Sequence, residues 1–197
     1  MKKNSPSLLN LTKEIISALN SRNVLYALSG ALANIAWGVP RSTFDIDILV
    51  SVPQIQLPSL LEIFFSFGFK GDLKELISKA RKEHFIRLEH SVFALEIFLP
   101  AIPYHHQVLK RRVRQEFENI PAWFVSLEDL IILKLLFHRS KDIGDIKGIL
   151  ATHSTKIDKG YIMKTLPVLV SKDDSRLKEI EELLTRYTAP PHSPTEP

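Results

Sequence analysis

The chain has 197 residues, of which 45% are hydrophobic and 24% are charged, so it can bury a core without disulfides or structural metals. It contains no cysteine, which excludes a disulfide framework and a thiolate zinc site. Its formal charge of +4 permits a nucleotide or nucleic-acid partner without requiring one, and no apolar run is long enough to span a membrane.

The first half of the chain alternates between predicted helices and strands. Periodic apolar spacing and short apolar runs predict each of these elements. Helices are predicted over 8–19, 31–37, 57–67 and 73–82, and strands over 24–28 and 43–50. A hairpin of strands 84–89 and 92–99 follows, with its turn at His90 and Ser91.

The second half is predicted to be helical. Ser126 is a suitable N-cap for a helix over 130–138, and further helices are predicted over 141–150 and 176–187. Four prolines within ten residues predict a disordered tail over 188–197. The fold class is therefore α/β (α+β), with a core at 1–100 and a mainly helical region at 101–187. The boundary is expected inside 101–125.

Asp45 and Asp47 carry the chemistry that the sequence suggests most strongly. They are two positions apart on a predicted strand, so both carboxylates leave the same face. Carboxylates a few ångströms apart repel each other unless a cation lies between them. Mg²⁺ takes such oxygens together with substrate phosphates. Without its surroundings, the pair would be interpreted as the solvated face of a strand.

The surroundings of the two aspartates favour a site for a metal and a triphosphate. Ser29 and Gly30 lie at a strand-to-helix junction, where free backbone N–H groups and the helix dipole attract anions. Arg41 precedes the aspartates and can pair with a phosphate or form an ordinary salt bridge. Together these residues predict that a phosphate group and a cation meet at this end of the strand.

Two segments resemble the polymerase-beta-type nucleotidyltransferase superfamily. The first segment comprises Leu-Ser-Gly-Ala-Leu-Ala at 28–33 and Gly-Val-Pro-Arg-Ser-Thr-Phe-Asp-Ile-Asp-Ile at 38–48. This order is similar to the signature of the superfamily, which is a glycine-containing turn, a short helix and then an Asp-x-Asp strand. The Arg-x-Thr-x-Asp-x-Asp form resembles the AbiEii/AbiGii toxin-like branch, as does Leu-Glu-Asp-Leu at 127–130 with Lys134 and 139–145. Ser29 departs from that branch, which usually has glycine there. The resemblance implies Mg²⁺-dependent transfer of a nucleoside monophosphate with release of pyrophosphate.

The resemblance also implies further site residues. It calls for a third carboxylate on a neighbouring strand, and Glu96 is the best placed, although the superfamily more often has aspartate. Glu89, beside the predicted turn, is the alternative. Lys134 would neutralise the triphosphate, since a lysine in an apolar run must extend to solvent or meet an anion. Asp142 and Asp145 are assigned to nucleotide binding, although Asp142 also suits the first turn of a helix.

The acceptor is the least determined part of the function. A basic cluster of Lys110, Arg111, Arg112 and Arg114 is either a solvated face or a contact to an RNA backbone. The expected function is a toxin-type enzyme acting on RNA or protein, with an antitoxin partner. The basic cluster favours a nucleic-acid acceptor over a small drug, and the end of an RNA such as tRNA is the expected acceptor. The alternatives are a small-molecule transferase of the antibiotic-modifying kind and a nucleotide-binding module without catalysis. Both aspartates are present, which argues against a module without catalysis. We expect no signal peptide, no membrane partner and a cytoplasmic location.

Overall fold

A six-stranded mixed sheet organises the first two thirds of the chain. The computed structural model describes residues 7–188. The strands are β1 (Leu25–Leu28), β2 (Asp45–Ser51), β3 (Phe85–His90), β4 (Phe93–Phe98), β5 (Val113–Phe117) and β6 (Ile120–Phe124). Their order is β3-β4-β2-β1-β6-β5, with β2–β4 and β1–β6 parallel and the other pairs antiparallel. The predicted α/β (α+β) class, a small mixed sheet flanked by helices, is confirmed.

Nine α-helices are described within residues 7–188. They are α1 (Leu8–Ser21), α2 (Gly30–Ala36), α3 (Leu57–Ser66), α4 (Leu73–Glu83), α5 (Pro103–Arg111), α6 (Leu127–Phe137), α7 (Ser140–His153), α8 (Lys159–Leu169) and α9 (Ser175–Thr188), with a 3₁₀ turn at Gln54–Gln56. Helices α5 and α8 were not predicted from the sequence, because α5 is polar and begins at a proline and α8 contains Pro167. No helix in this part of the chain has the length and apolar character needed to cross a membrane.

The chain packs into two compact units. Within the described residues, the sheet unit comprises 7–36 and 40–126, and the helical unit comprises 37–39 and 127–188. The hairpin of β5 and β6 belongs to the sheet unit because β6 pairs with β1. The two compact units divide between Ser126 and Leu127. The division into functional domains at 100/101 stays a prediction. The predicted tail over 188–197 lies outside the described residues except for Thr188, the last residue of α9.

The β3–β4 hairpin turns one residue later than the sequence analysis predicted. Ser91 and Val92 form the turn, and Ser91 adopts a left-handed conformation with φ of +51°. His90 instead belongs to β3 and pairs with Phe93. The correction matters because a shift of one residue changes every pair in a hairpin. With the observed turn, Arg87 lies opposite Glu96.

The junction between β1 and α2 is packed directly against β2. The Ser29 N–H donates to the Asp47 carbonyl oxygen at 2.9 Å. Gly30 has a φ of +57°, and a Cβ atom there would lie 2.0 Å from Asp47 Oδ2. The Asp47 carboxylate therefore occupies the space that any side chain at position 30 would need. Only glycine allows both the backbone conformation and this close approach.

We expect Gly30→Ala to destabilise the protein by about 2 kcal/mol or more, because alanine is strained at this φ and its methyl group would displace the Asp47 carboxylate. Urea denaturation measures the change. Gly144→Ala is the matched control, since Gly144 lies in α7 with open space around it, and we expect it to stabilise by about 0.5–1 kcal/mol. Wild-type stability of Gly30→Ala would contradict this account of the junction.

Candidate active site

Three carboxylates lie on one face of two neighbouring strands. Along β2, Ile46 and Ile48 are fully buried while Asp45 and Asp47 are half-buried on the opposite face, as the sequence alternation predicts. Glu96 on β4 pairs in register with Asp47 in the parallel ladder. Registered residues on adjacent strands share a face, with backbones about 4.8 Å apart. The sheet therefore brings together the three acids assigned to the site from the sequence.

The entry into β2 is fixed by a hydroxyl group. Thr43 Oγ1 accepts a hydrogen bond from the Asp45 N–H and donates one to the Asp45 carbonyl oxygen, both at 3.1 Å. This pair of bonds sets the backbone of Asp45 at the point where the strand begins. Arg41, the proposed phosphate partner, lies half-buried in the segment just before Thr43. The Thr-x-Asp spacing thus has a local structural reason.

Arg87 is the charged residue at this site that the sequence analysis missed. Its guanidinium donates to Glu96 Oε1, lies 3.4 Å from Asp45 Oδ1, and donates from Nε to Glu89 Oε1 at 2.8 Å. The hydrogen bond to Glu89, helped by the one to Glu96, raises the pKa of Arg87 above its ordinary value. Strand alternation combined with the correct turn would have revealed it, because the hairpin pairs Arg87 with Glu96.

The acids of the site have the chemistry that a hard divalent cation requires. Carboxylate oxygens from Asp45, Asp47 and Glu96 suit Mg²⁺, and the Arg87 guanidinium shows that positive charge is accommodated between Asp45 and Glu96. Within residues 7–188, no three acidic or histidine side chains are already arranged as a metal site. In the described conformation Asp45 and Glu96 face Arg87 instead, so a metal would require side-chain rearrangement.

The Ser29–Gly30 junction corrects one detail of the sequence analysis. The Ser29 N–H donates to the Asp47 carbonyl oxygen, so this amide is not free to bind a phosphate. The predicted phosphate contact at this residue can therefore come from the serine hydroxyl but not from its backbone amide. Gly30 instead accommodates the Asp47 carboxylate, which ties the turn to the acidic face of β2.

In the helical unit, Lys134 and Asp145 form a buried ion pair. Lys134 Nζ lies 2.7 Å from Asp145 Oδ2, and the two side chains are only 5% and 12% exposed. They join α6 to α7. The lysine in the apolar run therefore meets an anion of its own unit. Breaking such a buried pair on one side would leave a charge without compensation in a poorly solvated place.

Asp142 stabilises the beginning of α7. Its carboxylate accepts hydrogen bonds from the Arg139 backbone N–H at 3.2 Å and from the Arg139 side-chain Nε at 2.6 Å. Burial by itself would raise the pKa of Asp142, but the hydrogen bonds from Arg139 outweigh it and hold the pKa below its ordinary value. Of its two interpretations, the structure directly accounts for the acid in the first turn of a helix.

The basic cluster is only partly a free surface. Arg112 donates to the Leu109 carbonyl oxygen at 2.7 Å, and its guanidinium carbon lies 4.3 Å from the centre of a Trp123 ring. Trp123 therefore serves as a platform for this arginine. Lys110 and Arg114 are exposed. Arg112 thus has a role within the sheet unit that is independent of any partner.

Several solved structures share this fold at low sequence identity. The antibiotic-resistance factor ANT(2'')-Ia matches with a TM-score of 0.60 and 16% identity, over 88% of this chain and 95% of that one. The lincosamide antibiotic adenylyltransferase LnuA matches with a TM-score of 0.52 and 15% identity, over 74% and 98%. An antigenic nucleotidyltransferase-like protein from Paracoccidioides brasiliensis matches with a TM-score of 0.52 and 16% identity, over 89% of this chain and 91% of that one.

The sequence comparisons identify the family. No curated protein matches the chain significantly. A family profile described as nucleotidyltransferase of unknown function, DUF6036, matches residues 7–187. This match contains the acidic face of β2 and β4, the glycine junction and the helical unit. Because it spans nearly all of the chain, the protein belongs to the nucleotidyltransferase family DUF6036.

Proposed function

We propose that the protein transfers a nucleoside monophosphate from a nucleoside triphosphate to an acceptor hydroxyl and releases pyrophosphate. The observation that carries this proposal is the shared face of β2 and β4 that carries Asp45, Asp47 and Glu96, with the Arg87 guanidinium held by Asp45 and Glu96. In the reaction, a bond forms between the acceptor oxygen and the α-phosphorus while the bond from that phosphorus to the bridging oxygen of pyrophosphate breaks.

Each acid has a role that follows from its position. Mg²⁺ held by Asp45, Asp47 and Glu96 would supply positive charge against the triphosphate and the developing charge of the transition state. The Thr43 bonds fix the backbone of Asp45 where β2 begins, and the absence of a side chain at Gly30 leaves space for the Asp47 carboxylate. Glu96 completes the ligand set or accepts the proton of the acceptor hydroxyl.

The phosphate contacts are proposed for two sets of residues. In the sheet unit, Ser29 lies directly before α2 and Arg41 lies within the segment that leads into β2, and both side chains can donate to phosphate oxygens. Nucleotide binding by Lys134, Asp142 and Asp145 stays a prediction. In the helical unit Lys134 is paired with Asp145 and Asp142 is paired with Arg139, so these side chains would contact the nucleotide from within existing ion pairs.

For the acceptor, we propose a small molecule with a reactive hydroxyl. Two structures of similar fold are antibiotic transferases, one described with adenylyl-2''-tobramycin and one with lincomycin bound. The chain covers 95% and 98% of those two proteins. An RNA acceptor is the second candidate, favoured by the exposed Lys110 and Arg114 and weakened by the engagement of Arg112 with Trp123. The AbiEii/AbiGii branch and an antitoxin partner stay predictions.

Asp45→Asn and Asp47→Asn should each remove most of the metal-dependent affinity for a nucleoside triphosphate, because an amide keeps the shape of the side chain but loses the charge that holds a cation. Titration calorimetry with and without Mg²⁺ measures this difference, and thermal unfolding serves as the control for the fold. Unchanged Mg²⁺-dependent binding in both variants would disprove the metal assignment.

Glu96→Gln should slow nucleotidyl transfer by about 10²-fold or more at saturating Mg²⁺, because the third acid acts on charge that develops in the transition state. Glu89→Gln is the matched control, since Glu89 also contacts Arg87 but lies on the edge strand β3 near the turn, where it pairs with Ala94 and not with Glu96. We expect it to have little effect on kcat. Greater damage from Glu89→Gln than from Glu96→Gln would reverse the assignment.

The acceptor is identified by incubating the enzyme with triphosphates labelled at the α-phosphate and either hydroxyl-rich antibiotics or total cellular RNA. We expect label on a small molecule, and the double variant Lys110→Ala, Arg114→Ala should transfer it at the wild-type rate. Label on RNA that is lost in the double variant, with steep salt dependence in the wild type, would favour the RNA hypothesis instead.

A further inference from the structure

Arg87 stands out because it contacts three carboxylates at once. Its two ends have different partners: Nε donates to Glu89 at 2.8 Å, while the terminal Nη1 faces both Glu96 and Asp45. Two of these acids, Asp45 and Glu96, belong to the set proposed to hold the metal. The same oxygen atoms cannot coordinate a divalent cation while they accept hydrogen bonds from a guanidinium along the same directions.

The position of Arg87 allows it to leave. It lies on β3, an edge strand of the sheet, and its side chain is 42% exposed. An ion pair that is this exposed is weak, because water screens it and long side chains lose rotamer freedom in forming it. Because Nε and Nη1 belong to one planar group, the whole side chain would swing from the sheet face toward solvent when it leaves Asp45 and Glu96.

We propose that Arg87 is the resident counter-ion of the acidic face. It reduces the repulsion among the carboxylates before metal binds and is displaced from Asp45 and Glu96 when metal enters. This inference rests on the proposed function, since it assumes that those acids hold a divalent cation. Arg87 acts as a positioning residue here, because it orders the acids without taking part in bond formation.

Two consequences distinguish this role from an ordinary surface ion pair. Metal has to compete with the guanidinium, so metal affinity in the absence of nucleotide is lower than the acids alone would give. The metal-free protein, in turn, is more stable with Arg87 than without it, because like charges on one strand face repel each other. A merely structural pair would give the second effect without the first.

The test measures Mn²⁺ binding by electron paramagnetic resonance, in the absence of nucleotide, for wild type, Arg87→Gln and Arg87→Lys. Arg87→Gln should bind Mn²⁺ about tenfold more tightly, the size of effect expected from two partly exposed ion pairs. Arg87→Lys keeps the charge but not the planar fork, so its affinity should lie between the two. Arg81→Gln, an equal loss of charge at an exposed position on α4, should bind as the wild type does.

Thermal unfolding supplies a second measurement that does not depend on activity. In chelator, Arg87→Gln should melt below wild type, and saturating Mn²⁺ should raise its Tm more than it raises that of the wild type. Arg87→Gln that binds Mn²⁺ no more tightly than wild type overturns the inference, even if it melts at a lower temperature.

The same measurements distinguish a failure of the counter-ion role from a failure of the proposed function. If wild type and Arg87→Gln both bind Mn²⁺ in the presence of triphosphate, but with equal affinity in its absence, only the counter-ion role fails. If neither protein binds Mn²⁺ with or without triphosphate, the metal-dependent function fails and the counter-ion role fails with it.

Discussion

Electrostatic repulsion between carboxylates on one sheet face is the constraint on which this site depends. Asp45 and Asp47 emerge from the same side of β2, and the parallel register places Glu96 beside Asp47. Such an arrangement is unfavourable without a nearby cation, so a protein that retains it must supply positive charge from a ligand or from its own side chains. This chain does the latter through Arg87, which makes the acidic face compatible with a folded protein.

The register of one hairpin connects this electrostatic problem to the backbone. Because Ser91 accepts a left-handed conformation, the turn closes over Ser91 and Val92 and sets the pairing of β3 with β4. That pairing places the Arg87 guanidinium, and not an apolar side chain of β3, opposite Glu96 on the acidic face. The chemistry of the site is therefore determined partly by a turn that contains none of its charged groups.

The sequence was most informative where the determining interactions are local. Alternation along 43–50 predicts which side chains of β2 are buried, and the apolar run around Lys134 predicts that this lysine extends to solvent or meets an anion. Non-local pairing limited the rest. The parallel pairing of β6 with β1 cannot be inferred from the composition of 113–124. Arg87 was missed because a turn placed one residue too early assigns it a different partner on β4.

The close approach of Asp47 to Gly30 also explains why the glycine turn of this chain can contain a serine. Ser29 has a negative φ and contributes its backbone amide, which every residue except proline possesses. Gly30 has a positive φ and has no room for a methyl group. The two positions of the motif are therefore not equivalent. The backbone of the junction places no demand on the side chain at the first position, whereas it requires glycine at the second.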